Sequence, residues 1–580
     1  MVWVLVAILG VIGTTPLTAQ ATPANTAATK AYESGLAAIR AGDAAKAQSE
    51  FERAVKSSPG SAEMQLALGQ VLLQQGEVDS SVTHLRTAVR LKPDLAGGHL
   101  VLGQALSAKG SLDEAVAQLH EAIKLAPTEA EPRRALARVL RLQQKTPEAI
   151  SEMRAAVVLE PRRPDLHDEL GSLLAQNNQV ADAEKQFRVA LQFDQHYEPA
   201  RFHLGVALLS AGERDAAVSE LTQATELNPK DALAFYYLGN AYEAQGDAAA
   251  ATLAYQQSVA LNSNSKEAQK HLGLLLQRAG DLEGASAAYA KVVELDPNDP
   301  DAHNNLGITW MASGKGNAAL KEFQEAIKLR PDDSGFRGNL GITYMQLSDF
   351  DAAIDQLQQA IKLTPDNASL HYDLALALKL KDNLVGSTAE MQKAIELDPK
   401  LVDAYYTLGV TLWQQGEFAA AAEQLRKAVQ LKPDYSEAYY TLGSVLKQLN
   451  QLPDAAQALR EAIRLQPQFT GAHTNLAAVL RQMGDTAGAD AESQIAGTLV
   501  KQKTNLQGAT FSTNSGKRLL DAGDLDGAIS QFRNAIRLSP SYAPAHHELA
   551  VALSRKGDKA AAAEEFQKAT ELDPKLKSTP

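Results

Sequence analysis

Apolar and small residues recur along this chain in blocks of helix length, and the blocks come in pairs. Pro59, Pro93, Pro127, Pro161, Pro229, Pro297, Pro331, Pro365, Pro399, Pro433 and Pro467 are all separated by multiples of 34 residues. Twenty-four residues before each such place stands a small residue, from Gly35, Gly69 and Gly103 through Ala137 to Ala477, usually preceded by Leu. Twelve residues before it stands Ala or Ser, as at Ala47, Ser81 and Ala115. Each period therefore reads as two amphipathic helices of about fourteen residues. They are joined at a Gly-Asp turn such as Gly42-Asp43 or Gly523-Asp524, where glycine frees the first helix's end and aspartate caps the second. Pro540 and Pro574 take the same turn place in the last two repeats, and the remaining prolines within the array fall in the first turn of an expected helix, where no amide bond is lost.

This Leu-Gly…Ala…Phe…Ala…Pro signature resembles the tetratricopeptide repeat, and the resemblance runs from residue 28 to 576. It implies an all-α, right-handed superhelical solenoid of sixteen 34-residue helix-turn-helix repeats. Fourteen repeats are expected over 28–503 and two over 509–576, separated by an insert and hinge at 504–508. A linker over 22–27 and a tail over 577–580 complete the chain. One such repeat cannot bury its own apolar face, so stability comes from stacking.

The amino terminus departs from the period. Val2 to Ile12 is an uninterrupted apolar run, followed by Pro16 and Ala19-Gln20-Ala21. It resembles a signal peptide, 1–21, cleaved after Ala21. No Lys or Arg precedes the run, so an uncleaved anchor in the inner membrane is the alternative. The expected location is outside the cytoplasm, periplasmic or secreted, with membrane contact only through an uncleaved leader.

Composition narrows the chemistry. The 580 residues hold no cysteine, which removes disulfides, thiolate metal sites and cysteine nucleophiles. A net charge of −13 without a basic run argues against nucleic acid as a partner. No phosphate-binding loop, zinc-protease or nucleophile-elbow motif falls at a supporting element boundary, so neither enzymatic activity, cofactor nor metal is expected. His99, His167, His303, His371, His473 and His546 share the fourth place of their repeats, which reads as an inter-helix packing position.

Binding residues are sought on the first helices. With each repeat numbered from 1, places 4, 7, 8 and 11 face the core, and places 2, 5, 9 and 12 form a second face. In the family that second face lines the concave, peptide-binding groove. Place 5 carries Phe202, Tyr236, Asn304, Tyr372, Tyr406 and Tyr440, and Trp413 occupies place 12. Aromatic side chains make good anchors for peptides or sugars, although packing between successive first helices is the other reading. Arg134, Arg138 and Arg141 mark a patch for an acidic ligand. The family's carboxylate clamp is absent, because Lys270 is followed by Leu274 at place 9.

The leading function is a non-enzymatic scaffold binding proteins or peptides in its groove. The alternatives are a periplasmic subunit of a secretion or polysaccharide-export assembly, with glycan as a further ligand, and a regulatory subunit of a separate glycosyltransferase. Phe566, Ala569 and Leu572 share a stripe on the last helix, from which self-association of the C-terminal repeats is expected.

Overall fold

The computed structural model describes residues 23–576. The expected signal peptide and tail lie outside the described residues, which hold thirty-one α-helices and no strand. The chain divides after Pro297 into two units. The first runs from helix Pro23–Arg40 to helix Leu282–Leu295, and the second from Pro300–Ala312 to Lys559–Leu572. Each unit is an α-solenoid, in which thirteen- or fourteen-residue helices pair as hairpins and each hairpin stacks on the next.

The turns form as their residues dictate. Asp43, Asp281 and Asp524 each cap a second helix, with one carboxylate oxygen accepting a backbone N–H at 2.9–3.0 Å. Such a cap contributes about 1 kcal/mol. The preceding residue is left-handed, as at Gly42 with φ 78°. In five repeats the same place is held by Gln144, Asn178, Ser348, Asp382 or Asn450, with φ between 57° and 64°.

Inside a hairpin, the small residue at place 8 faces the large one at place 24. A β-carbon at Gly35, Gly171 or Gly516 would lie 2.5 Å from the ring of Phe51, Phe187 or Phe532. Those rings are fully buried, as are Tyr255, Tyr289 and Phe323. In the two repeats with Ala137 and Ala375 at place 8, place 24 holds the slimmer, flexible Met153 and Met391.

Two boundaries differ from the sequence reading. The expected linker is already helical from Pro23. The expected hinge at 504–508 is no break, because one 36-residue helix runs from Thr486 to Asp521. Lys501 stands where proline would have ended the fourteenth repeat, and neither the insert nor Lys503 supplies a stop, so the helix propagates into the fifteenth. The last helix also departs from expectation. Ala569 is fully buried, and Phe566 is half-buried against His547, leaving Leu572 as the exposed member of the stripe. Ala550 occupies place 8 here, so Phe566 lacks the glycine notch that admits the other rings.

Candidate functional site

Within each unit, first helices present their fifth places on a common side, and Phe202, Tyr236, Tyr372, Tyr406 and Tyr440 there are half-buried. Each is also partnered from within the chain. Tyr406 packs on Tyr435 with ring centroids 5.0 Å apart, and Tyr440 packs on Phe469 at 4.7 Å. Both partners close an inter-repeat turn, so the turn residue fixes the tyrosine while part of its ring stays accessible. Burial raises the Tyr372 phenol pKa, and the charges of Asp403 and Asp373 add to this against a hydrogen bond with Thr407. Trp413 is half-buried against the same core.

In the first unit, Phe202 and Tyr236 both meet Tyr237 edge-on, at 5.6 and 5.3 Å. Asn304, in the second unit, accepts a 2.9 Å hydrogen bond from the Asn339 side-chain amide of the next repeat. The structure thus brings Tyr372, Tyr406, Tyr440 and Trp413 together on successive first helices, while Phe202 and Tyr236 belong to the other unit.

The arginine patch is arranged differently from the expectation. The guanidinium groups of Arg134 and Arg138 already have an acidic partner, Glu169 of the following repeat. Arg134 Nε lies 2.9 Å and Arg138 Nη2 2.6 Å from Glu169 Oε1. Asp165 adds a second carboxylate, 3.0 Å from Arg134 Nη1. Burial alone would raise the Glu169 pKa, but hydrogen bonds and charge from Arg138 and Arg134 hold it below the usual carboxylate range. Arg141 remains exposed. The cluster therefore joins the fourth repeat to the fifth.

The fourth-place histidines are cross-braces. His371 Nδ1 faces Glu390 at 2.6 Å and Nε2 faces the Pro365 carbonyl at 3.0 Å. His473 and His546 repeat this with Glu492 and Pro467, and with Glu565 and Pro540. His99 and His167 use Gln118 and Gln186 instead. Each imidazole ties its first helix to its second and to the preceding turn. Among the described residues, no group of three or more His, Asp and Glu side chains is placed to hold a metal ion. No helix among them is long and apolar enough to cross a membrane.

A cleft of ≈ 860 Å³ completes the site. Ile342, Met345, Leu376, Lys379 and Leu380 of two successive first helices line it, with Asp382 and Leu384 from the turn and second helix that follow and Gln414 from the next first helix. It flanks the tyrosine row, since Leu376 and Lys379 share a helix with Tyr372. Burial lowers the Lys379 ammonium pKa and pushes the Asp373 carboxyl up to about 6. Sequence reasoning placed this face but missed these residues. Their signal is aliphatic side chains at ninth and twelfth places, Leu376 and Met345 among them packing only partly against the neighbouring core.

A family model described as "Tetratricopeptide repeat" matches residues 32–96, 100–166, 134–198, 202–266, 386–436, 406–469, 440–495 and 513–576. A second, described as "TPR repeat", matches 278–311 and 341–382. No curated protein sequence matches significantly. Among solved structures, the APC/C hetero-tetramer Cut9-Hcn1 is 14% identical with a TM-score of 0.35, covering 78% of this chain and 96% of that one. YrrB, titled a TPR protein with an unusual peptide-binding site, is 24% identical with a TM-score of 0.28, covering 32% and 96%. MamA 41-end from Desulfovibrio magneticus RS-1 is 24% identical with a TM-score of 0.28, covering 29% and 96%.

Proposed function

Because the chain belongs to the tetratricopeptide repeat family, and is in the first place a protein-interaction scaffold, we propose that it holds an extended protein segment along the first-helix face of repeats 10 to 13. The observation that carries this reading is the pairing of an open apolar cleft with a row of half-exposed aromatics, Tyr372, Tyr406, Tyr440 and Trp413. A cleft of that size takes one or two apolar side chains of a bound segment, and the tyrosines take its neighbours by ring contact and phenol hydrogen bonds. Lys379 at the cleft offers one cation to a carboxylate or carbonyl of the segment. Arg134 and Arg138 are left out of this role, since Glu169 and Asp165 already pair with them.

The scaffold acts outside the cytoplasm in this proposal, on the strength of the apolar run and Ala19-Gln20-Ala21. Mass spectrometry of the mature protein is expected to find Thr22 at its amino terminus. An intact Met1 in a membrane fraction places the protein on an uncleaved anchor instead.

Capture from the cell-envelope fraction tests the binding role. Wild-type chain should retain a protein that the combined Tyr372→Ala, Tyr406→Ala and Tyr440→Ala variant loses. Retention of glycan or of a glycosyltransferase, equal for both, would contradict the peptide-holding reading.

A further inference from the structure

Helix Thr486–Asp521 carries a seam with nothing packed on it. Ser493, Gly497, Val500, Thr504, Gln507 and Phe511 follow one another at alternating spacings of four and three, and all six are exposed. That alternation keeps one stripe of a helix facing a partner helix. None of the six is charged. Phe511 is 77% exposed and Val500 52%.

Both ends of the seam are halves of an interface that the chain builds elsewhere. Phe511 is the third residue of its repeat. Third residues of other repeats, Leu166, Ala200, Phe336, Leu370 and Ala438, are buried to 5% exposure or less, where the preceding second helix packs on the first. Val89 shows the contact, lying 3.1 Å from the β-carbon site of Gly98, the third residue of the next repeat. Gly497 holds Val89's place in the fourteenth repeat, and the space beyond its α-carbon is empty. Ser493 likewise is exposed where Leu459 and Phe532 of other repeats are buried. Within one chain these halves cannot meet, because Gly497 and Phe511 are about 21 Å apart along one continuous helix.

We propose that a second copy of this chain supplies the missing half, by antiparallel pairing of the two 486–521 helices about a two-fold axis at Thr504. Thr504 lies seven residues from both Gly497 and Phe511. Each Phe511 ring therefore covers the other copy's Gly497, and each Val500 packs beside it. The contact is isologous, uses the same surface on both copies, and closes at a dimer. It makes no use of the first-helix face of repeats 10 to 13, so binding there and dimerisation stand or fall separately.

Light scattering on the full chain at high micromolar concentration tests the pairing, with helical content checked by circular dichroism. The wild type should show twice the chain mass, and Phe511→Glu and Val500→Glu should each show the monomer mass with unchanged helicity. The chain has no cysteine, so Thr504→Cys should oxidise to a disulfide-linked dimer, whereas Thr498→Cys, on another side of the helix, should not. A monomeric wild type overturns the proposal. So does a Phe511→Glu variant that stays dimeric, or cross-linking equal at 498 and 504.

Discussion

Gly171 and Phe187 occupy a single volume: a β-carbon on the first would stand 2.5 Å from the ring of the second. Two repeats that carry alanine at the first place carry methionine at the second, Ala137 with Met153 and Ala375 with Met391. Overpacking a close-packed core costs about 1–3 kcal/mol. Gly171→Ala should therefore lower stability by that amount in urea denaturation. Adding Phe187→Met should recover part of the loss, so that the double variant is more stable than the two single effects summed.

The left-handed turn residues make an opposite prediction. Ser348 holds φ 64° without the freedom of glycine. A side chain in that region costs about 1 kcal/mol more than glycine does. Ser348→Gly should stabilise the repeat by about that amount, read as slower amide hydrogen exchange over residues 334–363. Unchanged or faster exchange would show that Ser348 is not strained.

Asp373 links the site to pH. Its carboxyl is raised from 3.8 to about 6 by burial, so the folded chain holds this proton more tightly than the unfolded one. The sign follows: no penalty exists below about pH 4, and a destabilisation grows through pH 6 and is complete above it. A shift of that size corresponds to a few kcal/mol at most. Asp373→Asn should raise the melting temperature at pH 7.5 and leave it unchanged at pH 3.5. Equal effects at both values would refute the assignment.

Glu169 is the shared acceptor of Arg134 and Arg138 across a repeat boundary. Removing it leaves two cations, one of them largely buried, without their principal partner. Glu169→Ala should destabilise the first unit by about 3 kcal/mol, and Glu169→Gln by less. If instead the arginines serve an acidic ligand, Glu169→Ala would be stable and bind anionic peptides more tightly.

The period of 34 made the fold legible, because place 8, place 24 and the turn proline each answer a local steric demand that recurs in most repeats. The same logic exposed the tyrosine row, since three tyrosines stand at place 5 of consecutive repeats, Tyr372, Tyr406 and Tyr440. What escaped was set by contacts between repeats. Nothing near Arg134 in sequence announces Glu169, thirty-five residues on. The insert at 504–508 lengthens the chain equally whether it loops or stays helical. Only the absence of a stop residue from Lys501 onward favours the helix, and that signal is weak beside the repeat boundary it erases. Phe511 looks like an ordinary core residue until its preceding helix proves to be its own continuation.

The claim that the first-helix face of repeats 10 to 13 holds a partner segment is tested most directly by site-specific photo-cross-linking. A photoreactive side chain is placed at Leu376 in the cleft, and for comparison at Val158, 78% exposed on the second helix of the fourth repeat. Both variants are exposed to the envelope extract and irradiated. Discrete protein adducts are expected at Leu376, suppressed by Tyr406→Ala, and none at Val158. Adducts at Val158 with none at Leu376 would contradict the claim.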